Sequence, residues 1–168
     1  VSGTGANGRP NGILTYVTGG ANAAANPFGA ITTVNSGAAA TVTSDGIVNL
    51  TQALPTAFSQ NARFAMNKGT IGAIRLLKDT TGNYLWQPSY QAGTPSTLLG
   101  DAISEIAAMP ALAASSKSVL FGDFARTYLI IDRVGTRVLR DPYTNKPFVM
   151  FYTTKRVGGG VVNPESMK

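Results

Sequence analysis

The stretch from Thr136 to Tyr152 leaves the backbone few choices. Thr136-Arg137-Val138-Leu139-Arg140 and Pro147-Phe148-Val149-Met150-Phe151-Tyr152 are rich in β-branched and aromatic residues, and Asp141-Pro142-Tyr143-Thr144-Asn145 separates them. Asp and Pro start turns, because the Asp carboxylate bonds the backbone two residues on and Pro presets its φ. Two extended runs joined by such a turn form an antiparallel hairpin. Gly158-Gly159-Gly160 then breaks the second strand, since residues without side chains add nothing to a packed face.

Upstream, Ser118-Val119-Leu120-Phe121 and Tyr128-Leu129-Ile130-Ile131 predict further strands around Gly122-Asp123. A helix is expected from Ser44 as N-cap, with Asp45 in its first turn and Ile47, Leu50 and Leu54 on one face. Pro55 should end or kink it. Arg63-Phe64-Ala65-Met66 reads as a strand, and Asn67 caps a second helix lined by Ile71, Ile74 and Leu77. Asp79-Thr80-Thr81-Gly82 is a turn leading to a short strand, Tyr84-Leu85-Trp86. Ala102 to Ala108 alternates weakly and stops at Met109-Pro110. Near the start, Ile13-Leu14-Thr15-Tyr16-Val17 reads as a strand between Asn11-Gly12 and Gly19-Gly20, with an Ala-rich loop from Ala21 to Ala40. The pattern is α+β with mostly antiparallel strands.

Composition narrows the chemistry. The 168 residues are enough for one domain or slightly more. They include no His and no Cys, which removes the commonest general base, disulfides and thiolate metal sites. Asp101 and Glu105 could pair as carboxylates for glycoside chemistry, but a single Trp in the chain leaves no platform for sugars. Gly3-Thr4-Gly5-Ala6-Asn7-Gly8 matches G-x-G-x-x-G in letters only. No strand precedes it, and turn residues follow where a dinucleotide fingerprint needs a helix. No apolar run approaches the roughly 20 residues that span a bilayer, and no signal-peptide pattern opens the chain. The reading therefore assigns no catalytic residue, no cofactor, no metal and no membrane partner.

Charge is sparse and uneven. Only 13% of residues are charged, against about 25% in ordinary soluble domains. Low charge suits a subunit whose flanks are covered by neighbours. The net charge is +6, and residues 117–168 hold nine basic and four acidic side chains of the total. Arg133, Arg137, Arg140, Lys155 and Arg156 lie on or near the hairpin and are the candidate interface residues, because Arg pairs bidentately with carboxylates. A solvated strand face explains them equally well. No Lys/Arg block marks a nucleic-acid patch.

Several segments fall in a recognisable order: Leu54-Pro55, Asn61-Ala62-Arg63-Phe64-Ala65-Met66-Asn67, Leu77 through Trp86, Thr97-Leu98-Leu99-Gly100 and Met109-Pro110. Phe121-Gly122-Asp123-Phe124, Tyr128 through Arg133, and Arg156-Val157-Gly158-Gly159 complete the series. In order and spacing the chain resembles the C-terminal two-thirds of the major capsid proteins of tailed double-stranded-DNA phages and prophages. The resemblance implies the phage major-capsid fold. An axial domain, a mixed sheet flanked by helices, would occupy residues 1–133 with its Gly/Ala-rich loop near 19–40. A C-terminal hairpin of the peripheral domain would occupy residues 134–168. The family's N-terminal arm, extended loop and long helix should precede Val1 and be missing from this chain.

The implied function is that of a structural subunit of an icosahedral capsid, self-assembling into pentamers and hexamers around double-stranded DNA. Its partners would be other copies of itself, with packaged DNA touched only indirectly. It would reside in the virion, and in the host bacterial cytoplasm during assembly. The fragment alone is expected to be monomeric or weakly associated. Some relatives cross-link through a Lys–Asn bond; the matching strand, Phe148-Val149-Met150-Phe151, has no Asn, so no cross-link is expected there. Two alternatives remain: an encapsulin-like cargo shell, and an extracellular polysaccharide-binding β-rich domain.

Overall fold

A computed structural model describes residues 1, 3–6, 8–86 and 96–168. Its organising element is β1, Arg63–Met66, which lies inside a four-stranded sheet of order β2-β3-β1-β4. The other strands are β2 (Thr97–Leu98), β3 (Asp101–Glu105) and β4 (Val119–Gly122). β1 runs parallel to β3 and antiparallel to β4, so the sheet is mixed.

Side chains alternate across a strand, and β1 uses both faces. Phe64 and Met66 join Leu98, Phe121, Ile47 and Ile74 in one core. Ala65 joins Leu120, Ile31 and Met167 in the other. A strand buried on both faces needs a continuous apolar run instead of alternation, which is what Phe64-Ala65-Met66 supplies. Phe64 lies directly across from Phe121; their tilted rings sit 4.5 Å apart, a favourable aromatic geometry.

Two helices supply the first core. α1, Ser44–Gln52, is capped one residue earlier than the sequence suggests: the Thr43 hydroxyl accepts from the Gly46 N–H at 3.1 Å. Asp45 sits in the first turn as expected. The helix stops at Gln52, and Pro55 instead precedes a second short helix, α2 (Thr56–Ser59). α3, Lys68–Arg75, starts at Asn67 as read from the sequence. The Asn67 Oδ1 accepts from the Thr70 N–H at 2.8 Å and from its hydroxyl at 3.1 Å. Its Nδ2 also donates to the Met109 carbonyl at 3.2 Å. Asn67→Ala should therefore cost about 1–2 kcal/mol, the upper end for a lost cap, read as a lower urea midpoint.

Two expected strands take other forms. Ile13–Tyr16 is a 3-10 turn, with only Val17 bridging to Ile31. The turn places Ile13 and Tyr16, three apart, on the core side together. Tyr84 makes an isolated bridge to Lys78 rather than a strand. Asp79 closes the intervening loop, accepting from Thr81 and Asn83, and backbone bonds from Asp79 to Asn83 and from Leu85 to Leu77 flank the bridge. The weakly alternating run after Ala102 forms β3, which starts at Asp101 and ends at Glu105.

The last third rises from the domain as a ribbon. Asp123 caps α4, Phe124–Thr127, and the chain enters β5, Tyr128–Asp141, which pairs with β6, Met150–Val161. Among the described residues these two strands pair only with each other. The predicted strands at Tyr128 and Thr136 are thus one, with irregular pairing between Asp132 and Arg137. Position 133/134 lies within β5. Gly158 to Gly160 do not break β6. The Tyr128 ring lies against Gly159, where a Cβ would stand 2.7 Å from its hydroxyl. After β6 the tail returns to the four-stranded sheet. Phe121 and Lys168 exchange backbone hydrogen bonds at 2.8 and 2.9 Å, and the Asp123 N–H donates to the Ser166 carbonyl at 2.9 Å. Thr127 and Ser166 hydroxyls meet at 2.7 Å in the interior.

Candidate subunit interface

The ribbon exposes what a domain normally hides. Ile130 is 71% exposed, Leu139 63%, and Phe151 and Tyr152 65% each. Directly paired residues of an antiparallel ribbon share a face. On one distal face lie Arg137 with Thr154 and Leu139 with Tyr152; on the other, Val138 with Thr153 and Arg140 with Phe151. Apolar and arginine side chains therefore project from both faces. A two-stranded ribbon has no core of its own and is marginal in water. Contiguous exposed apolar surface of this kind marks a docking site.

The five candidate residues are all exposed and divide into two groups. Arg133, Lys155 and Arg156 lie at the ribbon's base, beside a trough bordered by Phe28, Leu129 and Ile131. Arg137 and Arg140 lie further out, on opposite faces, and do not join them. Lys155 pairs with Asp132 at 3.0 Å. Among the described residues none of the four arginines is in an ion pair, so their guanidinium groups remain available to carboxylates of another chain.

Sequence reasoning singled out the charges and passed over the apolar half of this surface. The signal was present: Tyr128-Leu129-Ile130-Ile131 and Phe148 through Tyr152 are unbroken apolar runs. A ribbon with one solvated face would alternate.

At the ribbon tip, Asp141 accepts from the Thr144 hydroxyl and from the Tyr143 and Thr144 N–H groups at 2.9 and 3.2 Å. The Thr144 hydroxyl foremost, then the Tyr143 N–H, holds its carboxyl below the ordinary carboxylate range. A carboxyl depressed in the folded state stabilises the turn at neutral pH. That contribution is lost as pH falls below the ordinary range, about 4, and through the folded value. The Tyr143 amide should lose protection relative to its intrinsic exchange rate below that range, and Asp141→Asn should abolish this pH step.

The chemical candidates do not assemble into sites. Asp101 and Glu105 both lie on β3. Four residues along a strand span about 13 Å, beyond the roughly 9.5 Å limit of an inverting carboxylate pair. Burial pushes the Asp101 carboxyl up. Of the Gly3–Gly8 run, Asn7 lies outside the described residues. Gly5 and Gly8 take positive φ, and Thr4 bridges back to Asn11, a turn with no helix to receive a phosphate.

The chain thus combines a core-bearing domain with an exposed, arginine-bearing ribbon. The phage capsid family model matches residues 1–168, and the chain belongs to that family. Two solved structures are similar in fold and sequence. The capsid of an empty GTA particle, a phage-like gene transfer agent, computed with C5 symmetry, is 39% identical with a TM-score of 0.78, covering 99% of this chain and 57% of that one. The capsid of the native GTA particle is also 39% identical, with a TM-score of 0.75, covering 94% of this chain and 54% of that one. The chain thus spans just over half the length of these relatives. No curated protein matches it. The α+β fold, with its mixed sheet flanked by helices, is that of capsid proteins.

Proposed function

We propose that this chain is the shell-forming part of a capsid subunit, acting by geometry and not by catalysis. Copies would close into pentamers and hexamers through heterologous contacts, forming an icosahedral particle around double-stranded DNA. The observation that carries the reading is the β5–β6 ribbon, apolar and arginine-bearing on both faces. Residues 1–133 would form the axial domain and residues 134–168 the peripheral hairpin, with Arg133, Arg137, Arg140, Lys155 and Arg156 at contacts between copies. DNA would be met only indirectly, because the basic side chains are spread along the ribbon and not gathered into one patch. The particle, and the host bacterial cytoplasm before it, would be the protein's location. Without the rest of the subunit, the chain would be monomeric or weakly associated.

Electron microscopy of the full-length subunit expressed alone or with its neighbouring head genes tests this. Uniform icosahedral particles are expected; a subunit that stays dispersed under every such condition would refute it.

A further inference from the structure

The β5–β6 ladder is interrupted part-way along. One register runs from Tyr128 opposite Val161 to Asp132 opposite Val157, and another from Arg137 opposite Thr154 to Asp141 opposite Met150. Between them, only Val134 and Arg156 are paired. From Asp132 to Arg137 β5 advances five residues while β6 advances three, Val157 to Thr154. β5 thus carries two unmatched residues in two successive bulges. One extra residue turns a strand's side chains to the opposite face; the second turns them back. Asp132 shares a face with Val157, and Val138 with Thr153. Val157 and Thr153 are four apart on β6 and lie on one face. The two bulges together leave the faces of the ribbon in place and cost it only ladder bonds.

We infer that residues 132–137, with the β6 residues across from them, form a hinge on which the distal ribbon swings as one arm. The interruption falls where the domain's support ends. Below it the ribbon is fixed: Val161 is buried in the core, the Val162 N–H donates to the Thr127 carbonyl at 2.9 Å, and the Tyr128 hydroxyl donates to the Asn11 carbonyl. Along β6, burial falls from Val161 through half-buried residues 158–160 to exposed residues 150–157. Val157, the first exposed residue, is the partner of Asp132. Gly135 lies within the second bulge, and a Cβ there would meet nothing within 4 Å. Packing does not require that glycine; what it supplies is backbone freedom. Among the described residues one ion pair crosses the joint, Lys155 to Asp132 at 3.0 Å, with both ends half-exposed. An exposed pair attracts weakly and is screened by salt, so it steadies the joint without locking it.

Beyond the joint the ladder is unbroken to Asp141 and Met150, and Asp141 closes the turn at the tip. The distal half therefore moves as a unit. A ring of five turns its subunits toward one another more sharply than a ring of six. An arm that meets a neighbour in both must leave its domain at more than one angle. The hinge supplies those angles and keeps the same side chains on each face of the arm. That use rests on the capsid reading; the hinge itself rests on the ribbon's register and burial alone.

Its test uses the full-length subunit, dispersed and mixed with excess unlabelled subunit. The 168 residues contain no Cys, so paired spin labels can be placed in a subunit free of cysteine elsewhere. Asn49→Cys on α1 with Ile130→Cys reports on the ribbon below the joint, and Asn49→Cys with Thr153→Cys on the arm above it; all three positions are exposed. Double electron–electron resonance should give a distance distribution at least about twofold wider for the upper pair, because the joint lies between its labels. Two variants make the ladder regular. Deleting Arg133 and Gly135 removes the unmatched residues. Inserting one threonine between Thr154 and Lys155 and another between Arg156 and Val157 matches them instead and keeps every native side chain. Each should narrow the upper distribution to the width of the lower. A parent whose two distributions are equally narrow has a rigid kink, the other use of a bulge, and would overturn the proposal. A wide upper distribution that either regular variant leaves unchanged would overturn it too. Particle formation, scored separately by microscopy, reports on the capsid reading alone.

Discussion

Met167→Ala, at the penultimate position of the sequence, is expected to lower stability by about 2–5 kcal/mol. Met167 is fully buried, in the core that holds Ala65, Leu120 and Ile31. Its neighbours fix it there: the Ser166 hydroxyl meets Thr127 at 2.7 Å and donates to the Asn163 carbonyl at the same distance. The Lys168 backbone is bonded to Phe121. The side chain cannot be replaced by an inward shift of the tail, so a cavity remains. A domain stable by only about 5–15 kcal/mol would lose much of its margin. Urea unfolding of Met167→Ala and of the exposed Glu165→Ala should separate the two, with the latter within about 0.5 kcal/mol of the parent. Equal midpoints would show that the tail is not docked.

The second large effect concerns assembly. Leu139→Asp with Phe151→Asp places a carboxylate on each face of the ribbon. Each apolar side chain, if fully buried between copies, contributes about 1.5–3 kcal/mol, and an unpaired charge in its place adds a further penalty. A loss of about 3 kcal/mol per contact weakens that contact more than 100-fold, and every subunit in a shell suffers it. Full-length subunits carrying both changes should form no particles by electron microscopy. Their urea midpoint should stay within about 0.5 kcal/mol of the parent, because both side chains are exposed in the isolated chain. Normal particles from this variant would remove the ribbon from the interface.

Much of the fold was legible one segment at a time. The Asn67 cap, the Asp45 first turn, the Arg63–Met66 strand and the turn after Asp141 each depend on neighbours within four residues, and all are present. The capsid resemblance likewise rested on local segments, and it led to the family. Where a reading needed a partner distant in sequence, it was less secure. Ile13–Tyr16 has the residues of a strand but coils into a turn because the core accepts it in that form.

The candidate interface was half legible. The arginines proposed for it could be named from charge alone, and the apolar runs beside them were visible without their meaning. Whether Phe151 and Ile130 are core or surface depends on what packs against the ribbon, and nothing adjacent in sequence decides that. The docking of the tail is a tertiary fact. Asn163-Pro164-Glu165 starts a 3-10 turn by local capping, but where that turn docks is set by distant partners: Phe121 of β4 bonds Lys168, and Thr127 offers Ser166 a buried hydroxyl. Local conformation follows from propensity and short-range hydrogen bonds, which sequence encodes directly. Edges, faces and buried partners follow from which distant surfaces meet, and only the folded structure fixes those.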